Sequence, residues 1–153
     1  MVIVRLGRND IKEALNLVWE VFREFGALHY TPKGIIEFKK FLTYDYFIKL
    51  YESGEIKLWG CKINGTLTGI IALRGASHIC LLFVKREYQR RGIAKYLFHT
   101  VLMECKKQNI KRITASSSPY ATEIYNRMGF KAIGGELLYK GIRFTPMLYL
   151  ITE

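Results

Sequence analysis

Residues 84–97 bring together residue types that could hold a phosphate group. Their sequence, V-K-R-E-Y-Q-R-R-G-I-A-K-Y-L, runs from an apolar strand through a basic turn into an amphipathic helix. The first turn of a helix carries backbone N–H groups without intrahelical partners and a partial positive charge, both of which favour an anion. Gly92 has no Cβ to keep a ligand from the main chain. Gln89, Arg90 and Arg91 add side-chain donors, so this segment is expected to bind a diphosphate.

Length and charge limit what surrounds this segment. The chain has 153 residues, half of them hydrophobic, which predicts one domain over residues 1–153 with its own core. Its formal net charge of +11 and pI near 9.7 predict an affinity for polyanions. Nucleic acid, anionic lipid and a phosphorylated cofactor all fit that charge.

Cysteine usage indicates a reduced setting. Cys61, Cys80 and Cys105 are odd in number, lack C-x-x-C spacing and lie in apolar segments, so the sequence predicts neither a disulfide framework nor a metal site. The start of the chain has no signal-peptide pattern, and its apolar runs are shorter than the ~20 residues that span a bilayer. We therefore expect a cytoplasmic protein with no membrane partner.

The elements ahead of the basic turn follow from periodicity and turn residues. An apolar stripe at three- and four-residue steps predicts a helix over residues 11–25, and an aromatic-rich region over 32–52 predicts helix with a break near Thr43. Asn64 and Gly65 predict a type I′ hairpin, because both tolerate positive φ. Residues 78–84 are apolar on both faces, as in a central strand.

The elements after the basic turn alternate between strand and helix. A helix begins near Gly92, and residues 112–116 form a strand. Ser118 then caps a short helix that ends at Gly129. Residues 130–139 and 142–151 form a last pair of strands.

Three ordered motifs in this arrangement resemble the GNAT superfamily of acyl-CoA-dependent N-acyltransferases. Gln89, Gly92 and Ala94 match the signature Q/R-x-x-G-x-G/A at the start of a helix. Residues 121–130, A-T-E-I-Y-N-R-M-G-F, resemble the family's A-x-x-x-Y-x-x-x-G-F/Y helix, and residues 141–147 are similar to a bacterial subgroup. The resemblance covers nearly the whole chain. It implies an α/β (α+β) fold with a mixed, mostly antiparallel sheet of six or seven strands, splayed between strands 4 and 5, and about four helices on both faces.

The resemblance also implies where acetyl-CoA binds. Backbone groups of Leu82, Phe83 and Val84 would pair with the pantetheine arm like an added strand, and the Ser118 hydroxyl could reach it. The pyrophosphate would lie on N–H groups at the start of the helix, which belong to Arg90, Arg91, Gly92, Ile93, Ala94 and Lys95.

The same resemblance implies two catalytic groups. Tyr125 would act as general acid toward the departing sulfur, and the Val84 N–H would stabilise the oxyanion of the tetrahedral intermediate. Many family members carry a glutamate base on the central strand, which residues 78–84 lack, so the base stays unassigned among Glu24, His29, Tyr30 and His78. The apolar stripe that contains Tyr125 would also explain that residue as a core tyrosine without a catalytic role.

The sequence thus favours an N-acetyltransferase that moves the acetyl group of acetyl-CoA to a primary amine. The alternatives are a CoA-binding regulatory module without catalysis and, less favoured, a basic nucleic-acid or ribosome-associated protein, for which no recognised module is present. The acceptor is not identified, although the net charge favours acidic or neutral amines over polyamines. The long final hairpin offers an edge through which a homodimer could form.

Overall fold

The computed structural model describes residues 1–152. Its strands are β1 (Val2–Arg5), β2 (Ile56–Ile63), β3 (Thr66–Arg74), β4 (His78–Val84), β5 (Arg112–Ser117), β6 (Lys131–Ala132), β7 (Leu137–Tyr139) and β8 (Ile142–Leu150). Its α-helices are α1 (Ile11–Val21), α2 (Pro32–Phe41), α3 (Tyr44–Glu52), α4 (Ile93–Lys107) and α5 (Thr122–Arg127).

The strands form one mixed sheet in the order β1-β2-β3-β4-β5-β8-β6, with β7 paired to β8. All pairings are antiparallel except β4 with β5, which run parallel and pair only through His78 with Thr114 and Ile79 with Ala115. Beyond these pairs β4 and β5 diverge. The predicted mixed sheet and its splay between the fourth and fifth strands are therefore confirmed.

The strand count exceeds the prediction because the segment predicted as a single strand over residues 130–139 is divided. Gly134 and Gly135 lie between β6 and β7, where glycine supplies no side chain to pack on a sheet. The sheet thus has eight strands rather than six or seven. Within residues 1–152 the structure has five α-helices where about four were expected.

Two apolar layers form the core, one on each face of the sheet. The layer on one side joins α1 and α3 to the sheet through residues such as Leu15, Val18 and Phe47. The other joins α4 and α5 to the sheet through residues such as Leu97 and Tyr125. The opening between β4 and β5 is therefore bordered by helices from both layers.

Local turn residues place several elements where the sequence predicts them. Asn64 and Gly65 have φ of 52° and 79°, which closes the β2–β3 hairpin as predicted. Thr43 is extended and separates α2 from α3, which confirms the predicted break. Over residues 1–152, none of the helices combines the length and apolar character needed to cross a membrane.

Strand β4 contains a bulge next to the opening. Leu81 pairs with Ala72 and Ile79 pairs with Leu73, so Cys80 is an extra residue on the β4 side. A bulge adds local twist and re-aims the side chains around it. It lies directly after Ile79, at the last pair between β4 and β5.

Candidate active site

The start of α4 has the geometry expected of an anion site. Gly92 is the N-cap residue and has a φ of 80°, and Arg90, two residues earlier, has a φ of 64°. Both positive φ values turn the chain sharply before the helix. Ile93 is buried and anchors the first turn, whereas Arg91 and Lys95 are exposed. Free N–H groups at this turn and the exposed cations leave the site open to a ligand from solvent.

Gln89 joins this loop to its neighbours. Its amide Nε2 donates to the carbonyl oxygen of Val84 at 3.0 Å, and its Oε1 accepts from the Tyr120 hydroxyl at 3.4 Å. The side chain that was expected to donate to phosphate thus ties the loop to the end of β4. The donors that face solvent near this turn include its main-chain N–H groups and the side chains of Arg90, Arg91 and Lys95.

The hydrogen-bond register decides which β4 backbone groups face the opening. The Lys85 N–H donates to Thr68 O at 2.8 Å on the β3 side. The backbone N–H and C=O groups of successive residues in an antiparallel strand point to alternate sides. The backbone of Phe83 therefore also bonds to β3, whereas the backbone groups of Leu82 and Val84 point toward the opening. The backbone of Phe83, expected to pair with pantetheine, is therefore occupied by β3. The backbone groups of Leu82 and the N–H of Val84 face the opening, whereas the Val84 carbonyl oxygen already accepts from Gln89.

Tyr125 lies near Cys80, and both residues line a cavity of about 720 Å³. It is 4% exposed, and its ring packs edge-on against Phe130 with centroids 5.2 Å apart. Burial raises the pKa of Tyr125, and the nearby Cys80 raises it further. Burial also raises the pKa of the Cys80 thiol to about 12. Both groups therefore stay protonated at neutral pH.

Ser118 precedes α5 and lines the same cavity as Cys80 and Tyr125. Its hydroxyl accepts from the Ala121 N–H at 3.2 Å. The turn that this bond closes precedes the helix, so α5 begins at Thr122 with Ala121 as its N-cap residue, and the prediction of Ser118 as the cap is wrong. The Ser118 hydroxyl lines the cavity, as a group reaching pantetheine must.

The structure separates the candidate bases. Glu24 pairs with Arg86 at 2.7 Å, and burial raises the pKa of Tyr30 to about 12, although Tyr30 lines the cavity. His78 Nδ1 lies 2.8 Å from Thr114 Oγ1, and its Nε2 lies 3.4 Å from Ser116 Oγ, which borders the cavity. Burial and then the Arg74 charge lower the pKa of His78. His78 is therefore neutral at physiological pH.

The mouth of the cavity is built from elements that the site prediction did not include. Helix α2 contributes Glu37, Phe38, Lys40 and Phe41, and the β7–β8 hairpin contributes Tyr139, Lys140, Ile142, Arg143 and Phe144. Tyr46 and Arg74 complete it. No local spacing marks these residues, because packing between distant segments brings them together. Among residues 1–152, no cluster of three His, Cys, Asp or Glu side chains could hold a metal ion.

Comparison with solved structures identifies relatives of the fold. A GCN5-related N-acetyltransferase from Rhodopseudomonas palustris superposes with a TM-score of 0.84 at 17% identity, covering 98% of this chain and 95% of that one. The PaiA N-acetyltransferase from Thermoplasma acidophilum, solved with coenzyme A, gives 0.78 at 21% identity, covering 99% and 100%. The spermidine/spermine N-acetyltransferase SpeG from Vibrio cholerae gives 0.65 at 17% identity, covering 97% and 91%.

A search of curated protein sequences finds no match. The family model for the acetyltransferase (GNAT) domain, in contrast, matches residues 27–151. That span runs from the loop before α2 through β8 and contains the loop at Gly92, the opening beside β4 and Tyr125. The chain therefore belongs to the GNAT acetyltransferase family.

Proposed function

We propose that this protein transfers the acetyl group of acetyl-CoA to a primary amine. Three observed features carry the proposal: the anion-site geometry at Gly92, the edge of β4 that faces the opening, and the cavity lined by Leu82 and Tyr125. Family membership supports acetyl-CoA as the cosubstrate. The CoA-bound state of the PaiA relative supports the same cosubstrate.

We infer that the parts of the cosubstrate lie on these features in order. The main chain of Arg90 to Lys95 would hold the pyrophosphate, with Gly92 admitting it because no Cβ intervenes. The Leu82 backbone and the Val84 N–H would pair with the amides of the pantetheine arm, and the Ser118 hydroxyl would approach from the turn before α5. The thioester would then lie in the cavity, beside Cys80 and Tyr125.

Tyr125 would donate a proton to the departing thiolate. Its raised pKa keeps the phenol protonated at neutral pH, so the donor is present when the tetrahedral intermediate collapses. The oxyanion would be held by a β4 backbone N–H facing the opening. The Val84 N–H meets that condition, and so does the Leu82 N–H, whose residue lines the cavity together with Tyr125.

His78 is our choice for the base that deprotonates the attacking ammonium. It would act through the Ser116 hydroxyl, which borders the cavity and lies within reach of Nε2. Thr114 on β5 orients the ring through Nδ1, and burial together with the smaller effect of the Arg74 charge lowers the pKa of His78 and keeps the imidazole neutral. A neutral imidazole can accept a proton, as a base must.

The test is acetyl-CoA-dependent thiol release measured over a panel of amino acids, peptides, polyamines and aminoglycosides. Release that requires an amine and yields the acetylated product supports the proposal. A CoA-binding module without catalysis is the second candidate, because β4 carries no carboxylate base. Stabilisation of the fold by CoA without thiol release for any amine would favour that module and overturn our proposal.

A further inference from the structure

We propose that the acceptor is a free α-amino acid with a large apolar side chain, whose carboxylate is recognised by Arg74. This inference rests on the proposed acetyl transfer and names the class of amine that the cavity accepts. Its basis is the chemistry of the cavity mouth, which combines aromatic walls with an excess of cations.

The charges of the mouth favour an anionic group. The cavity lining carries four cations, Lys40, Arg74, Lys140 and Arg143, and one carboxylate, Glu37. Glu55 and Glu136 neutralise part of this charge from outside the lining, by pairing with Arg74 and Arg143. One positive charge remains in excess even when both are included. A polyamine or aminoglycoside would add further positive charge to this mouth, whereas a carboxylate would balance it.

Arg74 is placed to hold a carboxylate next to the reacting amine. Its Nε donates to Glu55 Oε2 at 2.7 Å, and its guanidinium lies over the Phe41 ring at 5.8 Å. The guanidinium also bonds to the Tyr46 side chain. With five N–H donors in all, it keeps donors on its terminal nitrogens for a ligand in the cavity. Arg74 pairs in register with His78 and lines the same cavity as Cys80 and Tyr125. A carboxylate at Arg74 therefore lies near the proposed reaction centre, as in an α-amino acid.

The walls account for the apolar side chain. Phe38 lies between Phe22 and Phe83, with ring centroids 4.5 Å and 6.2 Å away, and it borders the cavity. Phe41 and Phe144 also line the cavity. Aromatic walls of this kind gain most from an apolar group that leaves water on binding.

The experiment measures thiol release with matched acceptors. L-Phenylalanine and L-phenylalaninamide share the amine and ring and differ in the carboxylate, while spermidine and kanamycin represent polycations. We expect turnover of phenylalanine, and we expect Arg74→Gln to raise its KM roughly ten- to a hundredfold, as for loss of a charged hydrogen bond. Because Arg74 also helps lower the pKa of His78, its substitution can change kcat for both acceptors. The KM values of phenylalaninamide and acetyl-CoA should nevertheless stay unchanged in this variant, which also shows that the variant is folded.

Two further variants separate local recognition from net charge. Lys140 has a φ of 51°, a conformation that asparagine adopts readily, so Lys140→Asn removes a mouth cation without strain. It should raise the KM of phenylalanine by a smaller factor. Lys111→Gln removes an exposed cation just before β5, at the end away from Ser116, and should change nothing.

The outcomes also distinguish this inference from the proposed function. A preference for spermidine or kanamycin would overturn the amino-acid proposal and leave acetyl transfer intact. So would an equal increase, caused by Arg74→Gln, in the KM values of phenylalanine and its amide. Absence of thiol release with every amine, despite CoA binding, would overturn both.

Discussion

The backbones of Gly34 and Gly141 are in direct contact, with no room for a Cβ on either residue. Thr31 strengthens the contact, because its N–H and its hydroxyl both donate to the carbonyl oxygen of Gly141, at 3.2 Å and 3.1 Å. This contact joins the first turn of α2 to the turn between β7 and β8. Both elements line the mouth of the cavity, so their spacing sets its width.

Gly34→Ala should therefore widen or distort the mouth. The new methyl group meets the Gly141 backbone, which cannot rotate away, and overpacking of this kind costs about 1–3 kcal/mol. We expect a lower free energy of unfolding in urea. We also expect the KM of the acceptor to rise by a larger factor than the KM of acetyl-CoA. Gly135→Ala is the matched control, because a Cβ there meets no atom within 4 Å. Equal effects of the two variants would contradict this account.

Gly92→Ala should weaken cofactor binding. The added Cβ intrudes where the ligand approaches the main chain, and the φ of 80° disfavours any side chain. Gly54→Ala is matched to it, since Gly54 has a φ of 82° and open space around it. We expect similar losses of stability in both variants, while the Kd for CoA, measured by calorimetry, rises at least tenfold only for Gly92→Ala. Unchanged CoA affinity in that variant would remove the phosphate-site assignment.

Tyr125→Phe removes one hydroxyl from a buried ring and keeps the packing against Phe130. If the phenol protonates the leaving thiolate, kcat should fall by about 10²–10⁴-fold, the range for general acid catalysis. The Kd for CoA should stay within about twofold. Tyr96→Phe provides the control, because Tyr96 is 53% exposed on α4. Wild-type turnover in Tyr125→Phe would instead identify a core tyrosine.

The pH profile tests His78. The folded protein lowers the pKa of this histidine below its ordinary value of 6.5, so the imidazole stays neutral through the physiological range. Activity should be flat near neutral pH and fall only as the pH drops through the lowered pKa. His78→Gln should lose most activity and also this acidic limb, whereas His99→Gln, on the exposed side of α4, should keep both.

The same shift has a consequence for stability. Below pH 6.5 the unfolded chain protonates His78 while the folded protein resists it, so protons favour unfolding. The free energy of unfolding should decrease as the pH falls from 6.5 toward the lowered pKa and level off below it. In His78→Gln this component should be absent. If the free energy of unfolding of His78→Gln still decreases over this pH range, another titrating group is responsible for the decrease.

Local chemistry made much of the fold predictable. Asn64 and Gly65 define a turn by their own backbone preferences, and Thr43 and Gly92 mark helix starts in the same way. The parallel register between His78 and Thr114 could be expected only from the resemblance to a family. It depends on the crossover through α4 rather than on any residue pattern.

The acceptor side could not be predicted in this way. Arg74 ends a strand whose pattern is apolar, and Arg143 lies in a hairpin that the sequence places only along the chain. The hairpin that carries Arg143 meets α2 through the Gly34–Gly141 contact, which joins segments far apart in sequence. The same limit applies to Phe83. The sequence of an apolar strand indicates that its side chains are buried, but it does not show which backbone groups pair with a neighbouring strand.

The narrow junction between β4 and β5 also bears on how the chain folds. Strands β2, β3 and β4 associate through short antiparallel hairpins, but His78 must find Thr114 across 36 residues, after α4 has formed. Closing a loop of this length costs chain entropy, and the few backbone hydrogen bonds at the junction do not offset that cost by themselves. The junction becomes stable only when the apolar layers on both faces assemble. We therefore expect this junction to form late, which makes the cofactor groove one of the last parts of the molecule to become native.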